Sequence, residues 1–296
     1  MFWRAEVAGR RRADRALCAI EGRLKEPEMA FARINGQDLF YAESGEGAPI
    51  IFGHGIAASH DVWEPVTKRL QDRFRCILTD FRGAGDSNQA KGPCTMAQFA
   101  SDVVGLADHL GLATFTYAGH SLGATVGMQL GIASQDRLEK LILIAPPSAD
   151  AGVREVMREL REKGDETAMV ARFRAMAVRE VSEEVLRSRA RRLVNTSAEH
   201  LEGSSARSEI DSVALAKVTT PTLVIAGAAD GFLESNLADF ARLPNATLHV
   251  FSRVGHHVPW DVPDALAEVI ADFMEHGVVD ATTIRSRVAA ASRALA

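Results

Sequence analysis

The pentapeptide Gly119-His120-Ser121-Leu122-Gly123 lies between a short apolar run, Thr114–Ala118, and a helical stretch beginning near Leu122. A serine at such a strand-to-helix turn is held on a strained backbone that lifts its hydroxyl above the sheet. Glycines at 119 and 123 spare that backbone two side chains that would crowd it. The helix start adds unsatisfied N–H groups and positive potential where an oxyanion would form. This is the arrangement of a nucleophile that attacks a carbonyl. Serine is a poor nucleophile at its own pKa, so the chemistry also calls for a near-neutral imidazole as base and an acid to orient it.

Further segments carry suitable residues in chain order. Phe52-Gly53-His54-Gly55-Ile56 ends one apolar run, and Asp80-Phe81-Arg82-Gly83-Ala84-Gly85-Asp86-Ser87 follows the next. Gly227-Ala228-Ala229-Asp230 closes the run Pro221–Ala226. Gly255-His256-His257 precedes Pro259-Trp260-Asp261-Val262-Pro263. Together these segments resemble the α/β-hydrolase superfamily, in particular its small bacterial members with a helical cap, over roughly Phe31 to His276.

The resemblance implies a triad of Ser121, His256 and Asp230, in the order expected for that fold, and an oxyanion hole at the amides of Ile56 and Leu122. Gly55 lets the backbone come close to a substrate, and His54 is implied to be structural. Glu234 and Asp150 are weaker competitors for the acid, and His257 is the bland neighbour of His256. Asp261 and Pro263 fall at the start of the last helix. The Asp80–Ser87 loop braces the site, and its glycine spacing fits neither a dinucleotide fingerprint nor a P-loop.

These residues need a scaffold, and the hydrophobic periodicity supplies one. Ala30–Ile34 and Leu39–Glu43 flank Asn35-Gly36, a pair suited to a hairpin turn. Six short apolar runs follow, Ile50-Ile51-Phe52, Cys76-Ile77-Leu78, Thr114–Ala118, Leu141–Ile144, Thr222–Ala226 and Thr247–Phe251, reading as strands covered on both faces. Candidate helices lie at Trp63–Leu70, Met96–Leu110, Leu122–Ser134 and Pro263–His276. The alternation predicts an α/β fold: a mostly parallel twisted sheet flanked by helices, with an antiparallel hairpin at its start. Between Pro147 and about Lys217 there is no clear strand. Val153, Val156, Met157 and Leu160, then Met169, Val170, Phe173 and Met176, form stripes at helical spacing, predicting two or three helices that pack onto the main domain and roof a pocket. The chain thus divides into an N-terminal extension (1–28), an α/β core (29–146 and 218–278), a helical cap (147–217) and a C-terminal tail (279–296).

Composition narrows the function. Of 296 residues, 34 are Lys or Arg and 39 Asp or Glu, a net charge of -5 that gives no basic surface for nucleic acid. Three cysteines (Cys18, Cys76, Cys94) are too few and scattered for a disulfide or zinc framework, which points to a reduced cytoplasm. No apolar run has the length of a membrane span. His60, His109, His200, His249 and His276 lie apart in sequence without metal-ligand spacing, so neither metal nor cofactor is expected. The partner expected is a small-molecule substrate, and a homo-oligomer is left open.

Candidate pocket residues are Trp63, Met157, Phe173, Met176, Val258 and Trp260, with Trp63 more suited to packing. A serine at 121 excludes the branches of the superfamily that attack carbon with an aspartate there. The main expectation is hydrolysis of a small, fairly apolar carboxylic ester or lactone through an acyl-enzyme. Hydrolytic C–C cleavage of a diketone-like compound and a non-catalytic small-molecule binder are the alternatives. The absence of a charged cluster favours an uncharged acyl group, although the Arg-rich cap helices leave open a cation turned inward.

Overall fold

Asn35 and Gly36 both take the left-handed backbone (φ 47 and 76) that a two-residue type I′ turn demands. They join β1 (Glu28–Ile34) to β2 (Gln37–Ser44) in an antiparallel pair whose register closes at Ile34 and Gln37. The computed structural model that reveals this describes residues 27–147, 153–203 and 210–279, with residues 283–285, 288 and 292–293 beyond them. Cys18, Asp150, the extension up to residue 26 and most of the expected tail lie outside the described residues.

The remaining strands are β3 (Ala48–Gly53), β4 (Phe74–Thr79), β5 (Phe115–His120), β6 (Leu138–Ile144), β7 (Thr222–Gly227) and β8 (Ala246–Phe251). They form one eight-stranded sheet in the order β1-β2-β4-β3-β5-β6-β7-β8. β2 runs antiparallel to β4, and every later pair is parallel. This is the α/β architecture that the periodicity predicts. β5 and β7 are buried at every position, as strands covered on both faces must be. β8 departs from expectation: it is the sheet's edge, only half-buried, and Val250 is 39% exposed.

Helices cover the two faces. α1 (Glu64–Leu70) and α11 (Pro263–His276) pack on one, against Phe52, Leu78, Ile142 and Ile225. α2 (Met96–His109) and α3 (Leu122–Ala133) pack on the other, against Ile51, Tyr117 and Leu143. Between β6 and β7 the chain makes α4 (Val153–Lys163), α5 (Glu166–Met176), α6 (Glu183–Asn195), α7 (Ala198–Gly203) and the short α8 (Ser212–Leu215). That is more helices than the two or three expected, because the polar stretches between the apolar stripes also coil. The stripes meet in a small core of their own, where Met157, Met169, Val170 and Phe173 pack with Leu186 and Leu193.

That core includes Ala57 and touches Ile56, so the insertion rests on the loop after β3. Its other footing is the loop after β4. Ser197 N donates to the Gly83 carbonyl (2.7 Å), and His200 Nδ1 donates to the Arg82 carbonyl (2.8 Å). α9 (Leu233–Arg242) and the short α10 (Val258–Asp261) complete the fold. The α9 stretch was not predicted from periodicity: its inward face carries Asn236 and Asp239, both buried, and these polar residues break the apolar stripe.

The loop after β4 is held by a buried ion pair. Arg82 and Asp102 are 1% and 2% exposed, and the guanidinium makes two bonds to the carboxylate, of 2.5 and 2.6 Å. Removing one partner leaves the other charged and out of water. Asp102→Ala is expected to lower the unfolding free energy by about 3–5 kcal/mol in urea denaturation, and the double replacement Arg82→Met/Asp102→Leu to recover most of that loss. A single variant as stable as wild type would contradict this account of the loop.

Candidate active site

Ser121 sits at the junction of β5 and α3 with φ 54 and ψ −114, a backbone conformation costing about 1–3 kcal/mol. Two backbone bonds hold it: Ser121 N donates to the Ile144 carbonyl (2.9 Å) and Gly123 N to the His54 carbonyl (3.0 Å). The flanking glycines are required by space. A Cβ at 119 would lie 2.1 Å from the Gly123 carbonyl oxygen, and one at 123 would lie 2.3 Å from that of Gly53.

β7 and β8 each deliver one further group. His256, in the loop after β8, lies with Nε2 2.9 Å from Ser121 Oγ and Nδ1 3.0 Å from Asp230 Oδ2. Asp230 is buried in the loop after β7, and its other carboxylate oxygen accepts the Phe232 amide (3.0 Å). The Phe232 ring meets the imidazole edge to face at 5.2 Å. The structure thus brings together the three residues named from the sequence as nucleophile, base and acid. Glu234 is exposed on α9 and makes no such contact.

The loop after β3 lies beside the serine: a Cβ on Gly55 would stand 3.3 Å from Ser121 Cβ. Among the described residues, neither the Ile56 amide nor the Leu122 amide donates to a backbone carbonyl. His54 is fully buried; its Nδ1–H donates to the Gly55 carbonyl (2.7 Å) and its Nε2 accepts the Phe81 amide (3.0 Å). Both nitrogens being used, it fixes the loop in the structural role implied for it. Asp80 accepts from the His60 and Asp86 amides (2.5 and 2.8 Å) and pairs with His60 Nδ1 (2.9 Å).

Several expectations need correction. Trp63 is 0% exposed against Phe52, and Val258 is 0% exposed in the same core, so neither offers substrate a surface. Met157 and Phe173 are nearly buried in the insertion's core, and the Met176 side chain lies outside the described part. Asp261 does not cap the last helix. It ends α10 and accepts the Gly255 amide at 3.4 Å, while Val262 stands at the helix start without a side-chain bond; Pro263 is in the first turn as expected. His60 and His200 are each locally hydrogen-bonded, one to Asp80 and the other, under the insertion, to the Arg82 carbonyl. His60, Asp80 and Asp86 present ligand-type atoms within 4.8 Å of one another, but three N–H groups already engage the Asp80 carboxylate.

Two features around Ser121 and His256 were not assigned residue by residue from the sequence. His120, before the serine, bonds through Nε2 to the His256 carbonyl (2.8 Å), tying the loop after β8 to the turn at Ser121. Arg189 of α6 turns inward, 4% exposed, and lies over the Trp260 ring at 3.6 Å from its centroid. Only its position in an arginine-rich helix hinted at this, and its neighbours Arg187 and Arg192 point to acids.

Comparison with known proteins agrees with this architecture. The model of the alpha/beta hydrolase fold family matches residues 48–263. A protein of Caulobacter sp. (strain K31), provisionally named the carbamate hydrolase RutD, is 28% identical over 76% of this chain and 90% of its own length. One of the same name from Azorhizobium caulinodans is 31% identical over 116 residues, 44% of its length. The 2-hydroxy-6-oxononadienedioate/2-hydroxy-6-oxononatrienedioate hydrolase 2 of Pseudomonas putida is 26% identical over 83% of this chain and 96% of that one. Among solved structures, the enol-lactonase of Burkholderia xenovorans LB400 superposes with a TM-score of 0.70 at 25% identity, covering 83% of this chain and all of the other (100%). The chain belongs to the α/β-hydrolase fold family, and it is a hydrolase. No helix among the described residues is long and apolar enough to cross a membrane.

Burial keeps several histidines neutral. Desolvation, with a smaller electrostatic contribution from the neighbouring His256, lowers His120 to about 3; desolvation and His54 lower His200 to about 4; His54 and His257 are lowered for the same first reason. Their folded pKa values lie below the unfolded value near 6.5, so the unfolded chain takes up protons first. The stability they contribute is complete above about pH 6.5 and drains as pH falls toward the folded values. His60 acts in the opposite sense: desolvation is the largest single influence and lowers it, but the hydrogen bond and charge of Asp80, with the charges of Asp86 and Glu64, together raise it. Urea denaturation at about pH 7.5 and about pH 5 is expected to show wild type losing stability on acidification, with His200→Gln losing about 1.4 kcal/mol less for each pH unit below about 6.5. Equal slopes for the two proteins would contradict this.

Proposed function

We propose that the protein is a serine hydrolase that cleaves a small carboxylic ester or lactone through an acyl-enzyme. The observation that carries this reading is the single imidazole of His256 within hydrogen-bond distance of both Ser121 Oγ and Asp230 Oδ2. Ser121 attacks the carbonyl carbon while His256 Nε2 takes its proton. Asp230, acting on Nδ1–H, holds the tautomer and stabilises the imidazolium. The amides of Ile56 and Leu122 receive the tetrahedral oxyanion. The imidazolium then protonates the leaving oxygen, and water, deprotonated by His256, releases the acid. The helices 153–203 act as a cap (147–217) over the core (29–146 and 218–278), resting on the loop after β3 through Ala57 and Ile56.

Hydrolytic C–C cleavage of a diketone-like compound is the second reading. The Pseudomonas putida relative, whose name describes a hydrolase of oxo-dienedioates and matches along nearly its whole length, favours it. Both readings use the same nucleophile and base, so one set of variants serves both. A panel of acyl esters, lactones and a vinylogous diketone is expected to identify the bond cleaved. Ser121→Ala and Asp230→Asn are each expected to lower kcat by about 10⁴-fold or more. Turnover by Ser121→Ala at the wild-type rate would refute the mechanism, and tight binding without product in wild type would make the protein a binder.

A further inference from the structure

We infer that Arg189 and His257 form a recognition site for a carboxylate group carried by the substrate, beside the Ser121–His256 pair. This rests on the serine-hydrolase reading above and narrows its substrate class. Arg189 projects from α6 and is 4% exposed, yet among the described residues none of its three side-chain nitrogens has a hydrogen-bond partner. Its neighbours on the same helix behave otherwise: Arg187 pairs with Glu166 and Glu183, and Arg192 with Asp61. The nearby acid, Asp261, is engaged with the Gly255 amide, and no ion pair to Arg189 is present among the described residues.

Asp261 acts on Arg189 only through space; a buried cation with no anion hydrogen-bonded to it is unfavourable, and the apolar face of Trp260 compensates only part of that loss. The guanidinium is therefore built for a partner that arrives from outside. Its planar fork matches the two oxygens of a carboxylate. The site leads directly to the reacting groups through ring contacts. Trp260 meets His257 at 5.3 Å and His120 at 6.1 Å, and His257 meets His256 at 5.6 Å. Both ring nitrogens of His257 are buried without a partner as well. A neutral His257 has one N–H to give, and a carboxylate held by Arg189 leaves lone pairs to receive it. The ligand would bridge the insertion, through Arg189, and the core loop, through His257. The uncharged acyl group expected from the sequence is then replaced by one that ends in an acid.

The test compares mono-4-nitrophenyl succinate with the neutral 4-nitrophenyl butyrate. Wild type is expected to favour the charged ester in kcat/KM. Arg189→Met is expected to lower the charged-to-neutral ratio by about ten- to hundredfold, the contribution of one or two charge-assisted hydrogen bonds, and His257→Phe to lower it less. An unchanged ratio in Arg189→Met overturns the proposal. Calorimetric titration of glutarate into wild type and Arg189→Met reads the site without any turnover. Binding to wild type that is lost in the variant supports the proposal whatever the triad does. No binding of glutarate to wild type overturns it, even where the variant fails to fold. The ester ratio and glutarate affinity thus report the carboxylate site, whereas the absolute rate on the neutral ester reports the triad.

Discussion

The site depends on one backbone constraint, the forced left-handed turn at Ser121. Without φ 54 at that residue, β5 would not pass into α3 with the hydroxyl standing clear of the sheet. The turn persists because its surroundings leave no alternative. Ile144 holds the Ser121 amide, His54 holds the Gly123 amide, and bare glycines at 119 and 123 let three backbone segments approach to distances that no side chain permits. The local strain is small beside the hydrogen bonds and burial that enforce it. The same crowding brings Gly55 to Ser121, so the turn that positions this hydroxyl also seats the loop after β3 beside it.

Around that turn the protein distributes charge unevenly. The loops that support the site are fixed by satisfied groups: Arg82 on Asp102, Asp80 on His60 and Asp86, and His54 with both nitrogens bonded. On the side toward the insertion the pattern reverses. Arg189 and His257 are buried with their polar side-chain atoms unmet, next to a His256 whose two ring nitrogens are hydrogen-bonded to Asp230 and Ser121. Full satisfaction gives rigidity, and open hydrogen-bonding capacity gives a place for a ligand. The satisfied loops hold still, and the unmet groups are the part proposed above to bind.

The sequence made legible those features encoded by neighbouring residues. The Asn35-Gly36 hairpin, the buried strands and the turn at Ser121 each follow from a local conformational demand or a short apolar run. The loop positions of Asp230 and His256 became readable through their place after strands. What escaped was set by distant parts of the chain. α9 was invisible because Asn236 and Asp239, not apolar residues, face inward; Asn236 donates to the Pro146 carbonyl at 2.6 Å. Val258 looks like a pocket residue in a list of apolar side chains near the motifs, and only packing assigns it to the core beside Trp63. Arg189 is one arginine among several on α6, and nothing in its spacing tells it from those that meet acids at the surface. β8 reads as an interior strand until the sheet order puts it at the edge.

Covalent labelling decides whether Ser121 is the activated nucleophile. An alkyl fluorophosphonate, followed by proteolysis and mass spectrometry, is expected to place a single adduct on Ser121, with the labelling rate lowered by about 10³-fold or more in His256→Ala. An adduct on another residue, or a labelling rate that His256→Ala leaves unchanged, would contradict the account of a serine activated by that imidazole.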